Sequence, residues 1–162
     1  MHELYEGIEL EAAQTEWICR GLIDLAKVDG LHEAEIELIE GFASAGGPGQ
    51  ANVADLKNAS FDLAEAVSVL GASEQLTEAF LASCYLLIYA DGMHSDQERA
   101  RIGEYADALG VARDRLEDLH VRARLYLLQM MAQGLRNKEA IKMVAVHQLG
   151  LNEDQIAQLG EN

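Results

Sequence analysis

Two copies of one short pattern constrain this chain more than any other feature: Val28-Asp29-Gly30-Leu31-His32 and Ala90-Asp91-Gly92-Met93-His94, sixty-two residues apart. Upstream the copies align without a gap. Ile18, Leu22, Leu25 and Ala26 fall on Phe80, Cys84, Leu87 and Ile88, with the i, i+4, i+7, i+8 spacing of a helix that buries one face. Downstream, after a one-residue gap, Glu35, Ile39, Phe42 and Ala43 fall on Glu98, Ile102, Tyr105 and Ala106. The pattern predicts a unit of helix, Asp-Gly turn and helix used twice, over about residues 15–45 and 77–109.

Proline occurs once, at Pro48, and 49% of residues are hydrophobic, so helix is favoured nearly everywhere. A chain of 162 residues buries roughly 70% of its unfolded surface without staples. The expectation is an all-α, compact single-domain bundle of seven to nine helices over residues 1–162, with a C-terminal helical extension from about 135. Helices are expected near 8–28, 33–45, 52–57, 61–70, 74–90, 95–109, 113–133, 138–149 and 153–159. The second is stopped by Gly46-Gly47-Pro48-Gly49, and the sixth is opened by Ser95-Asp96-Gln97-Glu98, a capping box. Leu109-Gly110-Val111 and Leu149-Gly150-Leu151 place a glycine just past a helix end each time. The seventh helix is expected to turn Leu116, His120, Ala123, Leu127 and Met130 inward.

Cys19 and Cys84 sit among apolar neighbours with no secretory leader ahead of them, which predicts buried thiols and a cytoplasmic protein. The longest apolar run, 80–90, is broken by Ser83 and falls short of the ~18 residues that cross a bilayer, so no transmembrane segment is expected. Net charge is −16, and residues 1–40 hold eleven acids against Arg20 and Lys27, a net −9. From 120 to 148 the balance reverses, with Arg122, Arg124, Arg136, Lys138 and Lys142 against Glu139. Phosphate backbones repel such a chain, so nucleic acid is not an expected partner; cations and basic protein surfaces are.

Gly30, Gly92, Ser95, Glu35 and Glu98 are explicable as helix-end residues alone. Asp29 and Asp91 are not: a carboxylate at the negative end of a helix dipole is disfavoured by about 0.3–1 kcal/mol, yet both copies place one there. Copies packed about a pseudo-twofold axis would bring Asp29, Glu35, Asp91 and Glu98 round one point, where a divalent cation removes their repulsion. Carboxylates suit Ca²⁺, Mg²⁺ or Mn²⁺. His32 and His94, at equal offsets from their aspartates, would shift the choice toward Mn²⁺, Fe²⁺ or Zn²⁺ if they joined.

The stretch from Ala90 to Glu98, continuing through Tyr105-Ala106-Asp107-Ala108-Leu109-Gly110-Val111 to Leu116-Glu117-Asp118-Leu119-His120, resembles the TerB-like family. Its members are the tellurite-resistance proteins and the N-terminal region of a membrane-anchored DnaJ-like co-chaperone. The resemblance spans about residues 15–125. In the first copy the sequence departs by one missing residue before Glu35 and by His32, where the family has an apolar or capping residue. It implies an internally duplicated helical fold and an acidic cluster proposed to hold metal, matched here by Asp29, Glu35, Asp91 and Glu98. It also implies a non-enzymatic bacterial stress-response role, toward tellurite, other toxic anions or phage, within a protein assembly whose membrane association is left open. Two alternatives stand beside it: a metal-free acidic adaptor for a basic protein, and a small metal-dependent enzyme with a pocket beside the carboxylates.

Other chemistry lacks its sequence requirements. The turns have no alternating Asp ladder of an EF-hand, and Glu117-Asp118-Leu119-His120 is a single Glu-x-x-His where di-iron bundles use two. The glycine cluster has no Gly-Lys-Ser/Thr ending, and neither cysteine carries a nucleophile signature.

Overall fold

The computed structural model describes residues 1–45, 52–90, 95–132 and 138–157, and among these every regular element is helical. A 3-10 turn at His2–Tyr5 precedes α1 (Ala12–Ala26), α2 (Glu33–Ala45), α3 (Val53–Leu56), α4 (Leu63–Leu70), α5 (Glu74–Ile88), α6 (Asp96–Ala108), α7 (Arg113–Ala132), α8 (Lys138–Met143) and α9 (Glu153–Ala157). Side-chain caps fix several starts. Asn52, Asp62, Ser73 and Ser95 accept from the amides of Ala54, Glu65, Leu76 and Glu98, at 2.9–3.1 Å.

The plan is set by α5, on which all residues from Leu76 to Ile88 except Glu78 are buried. A helix apolar on every side must be enclosed. It packs on α1, α2, α4, α6, α7 and the N-terminal turn. Its polar groups are answered internally: Thr77 Oγ1 donates to Leu70 O at 3.0 Å, Ser83 Oγ donates to Ala79 O at 2.8 Å, and the Tyr5 hydroxyl lies 2.9 Å from Ser83 Oγ. Around it the rings of Trp17, Phe61, Tyr105 and Phe80 form a chain of contacts with centroids 5.5–5.9 Å apart.

All eight aligned pairs of the two copies are buried. Ile18, Leu22, Leu25 and Ala26 match Phe80, Cys84, Leu87 and Ile88, and Glu35, Ile39, Phe42 and Ala43 match Glu98, Ile102, Tyr105 and Ala106, none more than 6% exposed.

The structure departs from the expected helices in several places. The N-terminal 3-10 turn was not foreseen, and α1 begins at Ala12 instead of 8 because the Glu11 amide donates to Gln14 Oε1 at 2.9 Å and closes the helix start there. It ends at Ala26 and α5 at Ile88, two residues early each. The expected helix over 138–149 is α8 followed by a π-helical turn, Val144–Gln148, in which the Leu149 amide reaches back five residues to Val144 O at 3.1 Å. The inward stripe of α7 is also corrected. His120 and Ala123 are buried and Leu116 and Leu127 half-buried, but Met130 is 48% exposed, and the face turns instead through Leu119, Arg124 and Leu128. Leu128 already belongs to a second, smaller cluster with Ala145, Leu149 and Leu151, so the last turn of α7 has left the main core. Arg124 ties that cluster down by donating to Leu149 O and Gly150 O at 3.3 and 3.2 Å. No described helix is long and apolar enough to cross a membrane.

Candidate functional site

The first Asp-Gly turn is built from both helix ends. The Lys27 amide still bonds Ile23 O and the Val28 amide Leu25 O, each at 3.0–3.1 Å, and the chain then reverses at Gly30, whose φ of +113° a side chain would resist. His32 is the N-cap of α2, because its carbonyl accepts from the Ile36 amide at 3.1 Å. Its own amide donates to Glu35 Oε2 at 3.0 Å. At the second unit the Ser95 amide donates to Glu98 Oε2 at 2.7 Å, and the Ser95 hydroxyl lies 3.1 Å from the same oxygen. Glu35 and Glu98 therefore perform one task, reaching back from the third helical position to the N-cap amide, as a capping-box glutamate does. Both are 1% exposed.

The other expected ligands are placed differently. Asp29 is exposed and His32 half-buried. Asp91 and His94, with Gly92, lie outside the described residues, so the convergence of four carboxylates falls partly outside them too. Among the described residues, no three His, Cys, Asp or Glu side chains converge where an ion would sit. A groove of about 550 Å³ opens beside the first turn, with Asp24, Lys27 and Val28 of the first unit facing Gln97, Arg101 and Glu104 of α6. Asp29, Glu35 and Glu98 are not among its walls. Burial pushes the Cys19 thiol up to about 12 and the Cys84 thiol well above its ordinary value, so neither is an available nucleophile.

Two polar networks behind this region were not foreseen. In one, the Tyr105 hydroxyl donates between Asp24 Oδ2, at 2.6 Å, and Gly21 O, at 3.1 Å, while Arg101 Nε donates to the same Asp24 oxygen at 2.9 Å. The sequence held a signal for it. The aligned copies place Asp24 opposite Leu86 and Tyr105 opposite Phe42, and these two polar departures from an apolar repeat bond each other. In the other, His120 Nε2 lies 3.0 Å from the Tyr89 hydroxyl and its Nδ1 faces Glu117 at 3.6 Å. Burial, and then the neighbouring Arg124 guanidinium, push this imidazole down to about 4, so it is neutral at pH 7. Glu117-x-x-His120 is thus spent on packing and hydrogen bonding within α5 and α7. Comparison of the chain with protein-family models, with curated proteins and with solved structures finds no match.

Proposed function

We propose that this chain is a non-enzymatic, TerB-like stress-response module that acts by presenting an acidic surface to a basic protein partner. The observation that carries the reading is the fate of the N-terminal acids. Glu6, Glu9, Glu11, Asp29, Glu33, Glu37 and Glu40 are all exposed, and the last three stand at i, i+4 and i+7 along one face of α2. From Val28 to Leu56 the sequence has no lysine or arginine to neutralise them. Such a face steers and orients a cationic partner more than it binds it tightly. Co-purification from cells at rising ionic strength tests this. A partner retained at low salt should be released as salt screens the contact, and should be lost when Glu33, Glu37 and Glu40 are replaced by glutamine. Retention that grows with salt, or that ignores the three substitutions, would point to an apolar interface and end the proposal.

A divalent cation at the Asp-Gly turns is the second reading, favoured by the burial of Glu35 and Glu98 at matched positions, since glutamate is rarely so enclosed. Asp29 and Asp91 would complete the carboxylate set for Ca²⁺, Mg²⁺ or Mn²⁺, with His32 and His94 drawing in Zn²⁺ or Fe²⁺. A ligand that binds only the folded chain raises its melting temperature. Mn²⁺ should therefore stabilise the parent and leave Asp29→Asn/Asp91→Asn nearly unmoved. Equal shifts in both proteins would remove the aspartates from the site.

A further inference from the structure

We infer that the chain associates with copies of itself head to tail, the C-terminal unit of one copy covering the acidic face of α2 on the next. The inference rests on the acidic-surface reading and names the partner of that surface.

The first observation is where apolar surface is left uncovered. Among the described residues four large hydrophobic side chains are exposed, Met130 at 48%, Met131 at 41%, Met143 at 62% and Val146 at 39%, and all four lie within residues 130–146. Leu128 and Ala145, both fully buried in the smaller cluster, hold the end of α7 against the π-helical turn. The exposed four stand one to three residues from these two, so they share that end of the bundle. Apolar side chains collected at one place mark a contact surface, whereas scattered ones are ordinary. Methionine, unbranched and flexible, suits a surface that must fit an irregular neighbour.

Charge selects what covers this face. Residues 120–148 hold five bases against one acid, a net +4 in a chain of −16. Arg122 and Lys142 are exposed, whereas Arg124 is turned inward onto Leu149 O and Gly150 O. An apolar face in basic surroundings calls for an acidic surface with apolar ground between its charges. The outer side of α2 is such a surface. Glu33, Glu37 and Glu40 share it with Gly41 and Ser44, all five exposed. A β-carbon on Gly41 would meet nothing within 4 Å, so a methionine can lie flat across the backbone there. Ile36 and Leu38, both half-buried, leave apolar edges beside the acids. Neither surface is suited to its own twin: α2 against α2 sets acid on acid, and the C-terminal unit against itself sets base on base. The contact is therefore between unlike surfaces, and each pair of copies leaves one of each kind open for the next.

The test is sedimentation velocity of the full chain from micromolar to millimolar concentration in about 0.15 M NaCl, where charges more than ~8 Å apart are largely screened. The average mass should rise with concentration. Glu33→Gln/Glu37→Gln/Glu40→Gln removes one surface and Met143→Gln/Val146→Gln the other, and each variant alone should associate at least tenfold more weakly than the parent. Mixed in equal amounts, the two variants should form a dimer and nothing larger, because each still carries the surface that the other lacks. All the replaced side chains are exposed, so the variants should keep the parent's circular dichroism. Met130→Gln/Met131→Gln reads the same face from α7 and takes the place of the first methionine variant should that one unfold. A parent that stays monomeric at millimolar concentration, or a mixture that forms no dimer, would overturn the inference. So would association that survives the α2 replacements and is lost with the methionine variant, since the face would then cover its own twin. Adsorption of a monomeric parent, but not of the methionine variant, to phosphatidylglycerol vesicles would give the face to a membrane instead and overturn it too. A monomeric parent that still retains a cellular partner through Glu33, Glu37 and Glu40 would end this inference alone and leave the acidic-surface proposal standing.

Discussion

His120 is shielded from water by the Tyr85 ring stacked on it and by the Tyr89 hydroxyl at its Nε2, with only 8% of its surface exposed. The unfolded chain protonates such a residue near pH 6.5, but the folded one resists until about pH 4. Between those values the unfolded state holds more protons, so this residue's contribution to stability is fully present above pH 6.5 and falls as the pH drops toward 4. The loss runs at up to about 1.4 kcal/mol per pH unit. Urea unfolding of the parent and of His120→Gln between pH 7 and pH 4 checks it. The difference in stability between the two proteins should narrow or reverse as the pH falls, and a difference that stays constant would mean that His120 is not held neutral.

Where α1 crosses α5, Gly21 lies against the ring of the buried Phe80. A β-carbon there would stand 2.7 Å from Phe80 Cζ, inside van der Waals contact with a ring that is itself 1% exposed. Gly21→Ala should therefore cost about 1–3 kcal/mol of overpacking, against which the helix-propensity gain of about 1 kcal/mol is too small. Gly41 on α2 has open space at the same position, so Gly41→Ala should stabilise by up to about 1 kcal/mol. Melting temperatures that moved the same way in both variants would contradict this account of the α1–α5 contact. Such contacts separate what the sequence disclosed from what it withheld. The helix ends written in local chemistry were legible, among them Ser95 with Glu98 and the turn at Gly30, and so were the apolar stripes that meet in the core. The tertiary pairings were not. Asp24 and Tyr105 find each other across eighty-one residues, Met130 is exposed because α7 outlasts the core it packs on, and the π turn after α8 depends on a ladder shift that residue periodicity does not encode. At the site, local capping explains Glu35 and Glu98, whereas whether the two turns meet is a tertiary matter that local chemistry does not encode, and the second turn lies outside the described residues.

The molecule as a whole combines a sealed apolar helix with a net charge of −16 and an isoelectric point near 4.5. Self-repulsion of that size works against the compact state at low ionic strength, and salt should relieve it. The melting temperature of the apo protein should thus rise from low to moderate NaCl, in contrast to the behaviour expected of the acidic surface with its partner; a melting temperature that fell with added NaCl would show that internal ion pairs outweigh the repulsion. The sealing of α5 has a further side. The segment 76–88, which every neighbouring helix is needed to cover, is also the stretch through which unfolded chains would adhere to one another, and the abundant carboxylates that burden the native state are what hold those unfolded chains apart. Refolding after heating should accordingly be reversible at neutral pH and give way to precipitation near pH 4.5.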